Sequence, residues 1–225
     1  MLLAGEGIAE IAPANGTVLA GLHYAPGKER GVTGIRQTPK VRALALRVKD
    51  TTAVVLSVEV ASLAREFCVE LQKKIEHATG VPAAHVRVCA THTHSMPALR
   101  PFLQWGAVSE AFQAVVYERA VAAAKAAVDD LSEADCYLGA QRVEGGNFNR
   151  TTKTWKTDEA FTAQSTDDER WLDTLLQALY FQRADDKKPL LWYHFCAHPV
   201  CYQDTQAGPD WPGIVADRIR PEPGF

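Results

Sequence analysis

Two of the chain's seven histidines sit one residue apart, in Thr91-His92-Thr93-His94-Ser95, directly after the apolar run His85 to Ala90. If that run is a strand, residues i and i+2 share a face, so both imidazoles lie side by side at its end. Neutral imidazoles so placed can chelate a transition metal, or one can hold the metal while the other meets a substrate. The hydroxyls of Thr91, Thr93 and Ser95 are then expected to hydrogen-bond the rings and fix their tautomers. The plainer reading is a pair of half-exposed strand-end histidines. It is the weaker one here, because the pair follows an apolar strand and precedes Pro97, a position where sites in α/β sheets gather. His198, in Phe195-Cys196-Ala197-His198-Pro199, repeats the pattern of apolar strand, histidine and proline. Both strand ends can converge on one ion. His194, nearer the strand middle, reads as buried or hydrogen-bonded, and His23, His77 and His85 belong to no constellation.

Other groups carry weaker signals. Cys196 and Cys201 flank His198, but Cys-x-His-x-x-Cys is not a structural zinc spacing, and no second cysteine pair exists. Arg150 ends Asn147-Phe148-Asn149-Arg150, and its planar guanidinium suits a carboxylate, phosphate or hydroxyl-rich ligand; a solvated loop arginine is the bland alternative. Asp210, before Trp211-Pro212-Gly213, reads first as a helix N-cap and second as a site residue. Gly5-x-Gly7 is followed by no long helix and is no nucleotide fingerprint. The chain has no P-loop, no Gly-x-Ser-x-Gly elbow and no His-Glu-x-x-His. The HxH lacks the Asp and third His of a metallo-β-lactamase, and the strand spacing is not that of a barrel.

These residues need a scaffold. With 225 residues the chain is long enough to bury a core without disulfide or metal. Its formal net charge of −3 argues against nucleic acid as a partner. No run approaches the ~18 apolar residues of a membrane span, so stable membrane insertion is not expected. Met1 to Glu6 does not read as a signal peptide, and the five cysteines read as reduced, mostly packed thiols, so a cytoplasmic location is expected. Nothing in the pattern speaks to oligomeric state.

Periodicity predicts a mixed α/β fold: central mixed β-sheets flanked by helices in a layered α/β sandwich. Short strands are expected at Ile8–Ile11 and Val18–Leu22. Val41–Val48 and Ala53–Val60 read as a hairpin. A helix over 62–79 ends at Gly80. After the strand 85–90, Ser109 caps a long helix to about Asp130, and Cys136–Val143 forms a strand. Gly145–Glu169 is a long polar loop, a length that is usually functional or disordered. Leu175–Gln182 and Leu190–Cys196 form strand, turn, strand, and a helix starts at Asp210. Arg220-Pro221-Glu222-Pro223-Gly224-Phe225 reads as the lead-in to a further strand.

The string Val86-Arg87-Val88-Cys89-Ala90-Thr91-His92-Thr93-His94-Ser95 resembles the Ala-Thr-His-Thr-His-Ser signature of the neutral/alkaline non-lysosomal ceramidase family, N-terminal catalytic domain. Gly5 to Pro13, Gly16 to Ala25, Arg42-Ala43-Leu44, Asn147 to Arg150, Cys196-Ala197-His198-Pro199 and Asp210-Trp211-Pro212-Gly213 resemble further family segments in the same order. The resemblance implies that residues 1–225 are one ceramidase-like catalytic domain, incomplete at its C-terminal end. It implies zinc bound by His92 and His198, with Glu and Tyr ligands from a later segment, and His94 and Arg150 at the reacting amide. The implied reaction is hydrolysis of an N-acyl amide or lipid-like, ceramide-type substrate by a zinc-activated water. Met96-Pro97-Ala98 replaces the family's Gly-Pro-Gly, and Glu59 stands where Asp is usual; Met96 is expected to narrow the pocket mouth. Two other readings fit the residues. One is a metallo-esterase or deacetylase. The other is a non-catalytic metal- or carbohydrate-binding module using Trp155, Trp192 and Trp211.

Overall fold

The computed structural model describes residues 1–25 and 27–220, so Pro221 to Phe225, read above as part of a strand lead-in, lie outside the described residues. In chain order the elements are β1 (Leu2–Glu10), β2 (Gly34–Ile35), β3 (Lys40–Val48), β4 (Thr51–Val58), α1 (Arg65–Thr79), β5 (Val86–Ala90), α2 (Glu110–Asp129), β6 (Ser132–Arg142), α3 (Asp167–Arg170), β7 (Leu175–Arg183), β8 (Leu190–His194), β9 (Gln206–Ala207) and α4 (Asp210–Ile219). Seven strands form one mixed sheet in the order β5-β4-β3-β1-β6-β7-β8. The β4–β5 pair is parallel and is crossed over by α1. The other neighbours in that sheet are antiparallel. The α/β reading therefore holds, with α1 and α2 packed against one face of the sheet through Phe67, Leu71, Ile75, Phe112 and Val116.

The helix signals act as expected. Gly80 closes α1 in the left-handed conformation (φ 72°), and Ser109 Oγ accepts the Phe112 N–H at the start of α2. The N-terminal strand differs from expectation. β1 runs unbroken for nine residues in the middle of the sheet, where periodicity alone predicts Ile8–Ile11 and the family resemblance begins at Gly5, and Val18–Leu22 makes one isolated bridge, Val18 to Gly31. The cause is the glycine pair. α2 presents the small residues Ala120, Ala123, Ala124 and Ala127, all buried, to β1. A Cβ on Gly5 or Gly7 would collide with the Ala127 or Ala123 carbonyl oxygen. These glycines are a packing surface, and they remove the apolar side chains by which a strand is recognised.

The sheet is also rolled. In a flat sheet, end strands six neighbours apart would be roughly 29 Å apart. Here the loops that follow the two end strands, β5 and β8, meet each other, and His94 N–H donates to the Pro199 carbonyl at 3.0 Å. The bend falls at the β1–β6 pairing, which is limited to Leu2–Ala4 against Ser132–Ala134. Beyond it β7 and β8 fold over the first half-sheet, and Phe181 and Leu190 pack on Ala4 and Leu44. Asp130 locks the bend: it accepts the Glu6 N–H at 3.0 Å and Lys187 Nζ at 2.9 Å, and pairs with Arg183.

α4 is held by charge. Asp217 accepts from Lys40 Nζ (2.8 Å), Arg42 (2.7 Å) and Gln37 (2.7 Å), and Arg42 also reaches the buried Glu59 at 3.3 Å. Burial works to raise the Asp217 pKa, but the hydrogen bonds from Lys40, Arg42 and Gln37 outweigh it and hold it at about 2. Burial raises Glu59 above the ordinary range in spite of Arg42. A carboxylate whose pKa is lower when folded stabilises the fold above its unfolded pKa of ~3.9, and the contribution is lost as pH falls through the folded value. Asp217→Asn should therefore be less stable than wild type at pH 5, with the gap closing as pH falls toward about 2. Denaturant midpoints of both proteins across that range check this, and a gap independent of pH would refute it.

Candidate functional site

The three histidines singled out by sequence come together. His94 Nε2 lies 3.4 Å from His92 Nε2 and 2.9 Å from His198 Nε2. The ligand atoms of all three fall within 4.8 Å of one another. The His92 and His198 rings stack at 5.2 Å, with His94 edge-on to both. Strand alternation is not what pairs His92 with His94. β5 ends at Ala90, and His92 takes a left-handed backbone, φ 69°, that turns the chain. Such a conformation is uncommon outside glycine and concentrates at functional sites. Hydrogen bonds from Thr91 N to Val58 O and from His92 N to Val60 O carry the turn into β4.

The hydrogen bonds assign the tautomers. His92 Nδ1 lies 2.7 Å from the Ala61 carbonyl, which only accepts, so Nδ1 carries the proton and Nε2 keeps its lone pair. Arg150 lies 3.0 Å from His198 Nδ1. A guanidinium only donates, so a neutral His198 carries its proton on Nε2, aimed at His94 Nε2. Burial, then His198, His92, Arg30 and Arg150, push the His94 pKa down to about 4. Burial, then Arg150 and His92, lower His198. Both shifts favour the neutral imidazole, the form that can ligate a metal or accept a hydrogen bond.

The donor set fits a metal. Tetrahedral zinc with Zn–N near 2.0–2.1 Å places two ligand nitrogens about 3.4 Å apart, and the ligand atoms of His92 and His198, with His94 between them, lie within 4.8 Å of one another, close enough to share one ion after a small approach. Cys196 and Cys201 join no such group among the described residues.

Several expectations need correction. Thr91, Thr93 and Ser95 do not touch the rings: Thr93 Oγ1 donates to Gly208 O, and Thr91 Oγ1 and Ser95 Oγ are buried without a partner. Met96 does not narrow a pocket mouth, because it is fully buried in the core beneath the loop. His194 is exposed at the end of β8, since the strand stops there and not at Cys196. Asp210 is buried, but the capping position is Pro209. The Asp210 carboxylate accepts the Cys201 N–H at 2.9 Å and so ties the His198 loop to α4. The cysteines are not packed: Cys68 is half-buried and the other four are exposed. The loop 145–169 is held by Asn147, which donates to the Asp173 and Cys196 carbonyls, and by the Thr166–Glu169 capping box. Of the tryptophans, Trp192 and Trp211 line one cavity, Trp211 beside Phe195, whereas Trp155 meets Phe148 and is not among its walls.

Three residues around His94 and His92 carried no sequence signal. The Ala61 carbonyl sets the His92 tautomer. Gly21, at φ 91°, lays its main chain on the His94 ring, where a Cβ would overlap the imidazole. Arg30 is buried and donates to the His94 carbonyl at 2.7 Å.

A cavity of about 460 Å³ opens inside the rolled sheet. Its walls are largely apolar, with Ile8, Leu44, Leu190 and Trp192 among them, and it reaches Thr91 and Ala197, the neighbours of His92 and His198. Among the described residues no helix is long and apolar enough to cross a membrane.

Residues 2–208 match the family model "Neutral/alkaline non-lysosomal ceramidase, N-terminal". Among solved structures, a ceramidase complexed with C2 matches with a TM-score of 0.77 at 16% identity, over 97% of this chain and 35% of that chain. The neutral ceramidase from Pseudomonas aeruginosa matches with the same TM-score and identity, over 100% of this chain and 37% of that one. At that identity the likeness establishes the fold, and the chain spans about a third of the length of these structures. No curated protein sequence matches.

Proposed function

Because the chain belongs to the neutral/alkaline non-lysosomal ceramidase family, we propose that it carries the histidine cluster of a zinc-dependent hydrolase that cleaves an N-acyl amide bond in a ceramide-like substrate. The observation that carries the reading is the convergence of three imidazoles, His94 buried and His198 half-buried and both favoured in the neutral form, from the two edges of one sheet. His92 and His198 would hold the zinc, which when bound supplies Lewis acidity and water activation at the amide carbonyl.

The chain's own residues do the rest. His92 is already in the tautomer that leaves Nε2 free. His94 Nε2, between the other two rings, is placed to exchange a hydrogen bond or a proton with the reacting amide. If His198 Nε2 becomes a ligand, its proton belongs on Nδ1, and Arg150 loses its acceptor there. The guanidinium is then available to a substrate oxygen. The apolar cavity beside Thr91 and Ala197 suits an acyl chain. The five unpaired cysteines favour a reducing, cytoplasmic setting.

Turnover of N-acyl amides of graded chain length, run against matched esters and with zinc content measured by plasma mass spectrometry, tests this. Amide cleavage that requires zinc supports it. A zinc-loaded protein that cleaves only esters, or nothing, overturns it. Arg150 gives a second check. Arg150→Met should bind zinc several-fold more tightly in a chelator competition, because a competing donor and a positive charge are gone, while turnover falls. Weaker zinc binding would mean that Arg150 supports the ligand.

A further inference from the structure

We propose that Arg30 is the positioning residue of the histidine cluster: its guanidinium seats His94 by gripping the main chain on both sides of the site. The functional part of this rests on the hydrolase reading above; the geometric part does not. Arg30 is 7% exposed. One terminal nitrogen donates to the His94 carbonyl (2.7 Å) and the Ala20 carbonyl (3.0 Å), and the other to the Asp204 carbonyl (2.8 Å). Nε is buried without a partner. The nearby Asp204 carboxylate is engaged by Arg36. Burying a guanidinium without its own ion pair is costly. An apolar residue would fill the volume without that cost, so the position calls for what only the fork delivers: several donors in one plane, reaching several carbonyls at once.

Those carbonyls belong to three segments. Ala20 precedes Gly21, whose main chain covers the His94 ring. His94 lies in the loop after β5, and Asp204 lies in the loop after β8 that also carries His198. His94 is thus held at its carbonyl by Arg30, at its N–H by Pro199 O, and on its ring face by Gly21. The ring atom facing the other two histidines is Nε2. Arg36 is the natural control. It ties the same 202–204 segment through Asp204 and stacks on Tyr202 at 4.2 Å, while His94 is held by Arg30, Pro199 and Gly21.

The test uses imidazole ¹⁵N–¹H spectra of the wild type, Arg30→Lys, Arg30→Gln, Gly21→Ala and Arg36→Gln, with kcat and KM on an acyl amide. Lysine keeps the charge but presents one point where arginine presents a fork. In folded Arg30→Lys the His94 ring signals should shift or broaden while those of His77 and His85 stay fixed. kcat should fall by roughly 10- to 100-fold, as for a misplaced reacting group, with KM nearly unchanged. Gly21→Ala, whose Cβ meets the ring itself, should move the same signals and marks what a displaced ring looks like; Arg30→Gln, which also lacks the fork, carries the test if Arg30→Lys does not fold. Arg36→Gln should leave them in place. Unmoved His94 signals in Arg30→Lys, or in Arg30→Gln where that variant carries the test, would overturn the proposal, as would an equal shift in Arg36→Gln. If the signals move as expected but the wild type cleaves no acyl amide, the positioning role stands and the hydrolase reading fails.

Discussion

His92→Ala is expected to yield a folded protein with no bound zinc and no amide hydrolysis. Two properties of His92 make this the largest functional effect. Its Nε2 is the only one in the cluster whose lone pair is left free by a hydrogen bond to a main-chain acceptor, the Ala61 carbonyl. Its ring stacks on that of His198, so its removal opens one whole side of the site. Losing an outer partner of a metal ligand costs about 10–100-fold in affinity, and losing the ligand itself costs more. The backbone is the complication, because His92 sits at φ 69° and alanine tolerates that region poorly. His92→Asn, whose side chain suits a left-handed residue, separates the two effects. Circular dichroism should show both variants folded, and plasma mass spectrometry should show both without zinc. Full zinc content with intact hydrolysis in His92→Ala would remove the basis of the reading.

Gly7→Ala should be the most damaging single-methyl change in the molecule. Alanine in place of a strand glycine ordinarily stabilises by about 0.4–1 kcal/mol, through the unfolded chain. At Gly7 the new Cβ meets the Ala123 carbonyl and the Ala127 amide, which are main-chain atoms of α2 that cannot rotate away. Overpacking of this kind costs about 3 kcal/mol. The unfavourable term wins, and the melting temperature should drop by about 4–10 °C for a chain of this size. Gly139→Ala on β6 is the matched control. Its Cβ would touch nothing nearer than the Ala178 carbonyl at 4.0 Å, so it should melt at or slightly above wild type. Equal melting temperatures for the two variants would show that the β1–α2 approach is not tight.

Elements built from local pattern were legible in the sequence. The β3–β4 hairpin alternates, α1 ends at a glycine and α2 begins at a serine. β1 was not, because Gly5 and Gly7 answer to a helix more than a hundred residues away in the chain. The roll of the sheet was also hidden, since the β1–β6 pairing that sets it is non-local and only three residue pairs long. At the site, residue type and spacing identified His92, His94 and His198, yet the cause assigned to the first pair was wrong: a left-handed turn, not strand alternation, brings them together. Met96 and the cysteines were misplaced because hydropathy does not say which face of a loop or strand points inward. Arg30 lies in Gly27-Lys28-Glu29-Arg30, which reads as a solvated charged turn, and the Ala61 carbonyl belongs to a residue with no functional group to notice.

The short joint between the half-sheets makes the histidine site a second seam between them. His92 and His94 follow the end strand of one leaf and His198 that of the other, and within the seven-stranded sheet the leaves are hydrogen-bonded to each other through Leu2–Ala4 and Ser132–Ala134 alone among the described residues. Anything that binds both sets of imidazoles clamps the leaves shut, and by linkage it protects the joint by RT ln(1 + [L]/Kd). The amide protons of Ser132–Ala134, far along the chain from any histidine, are therefore where occupancy of the site should register as slowed hydrogen exchange.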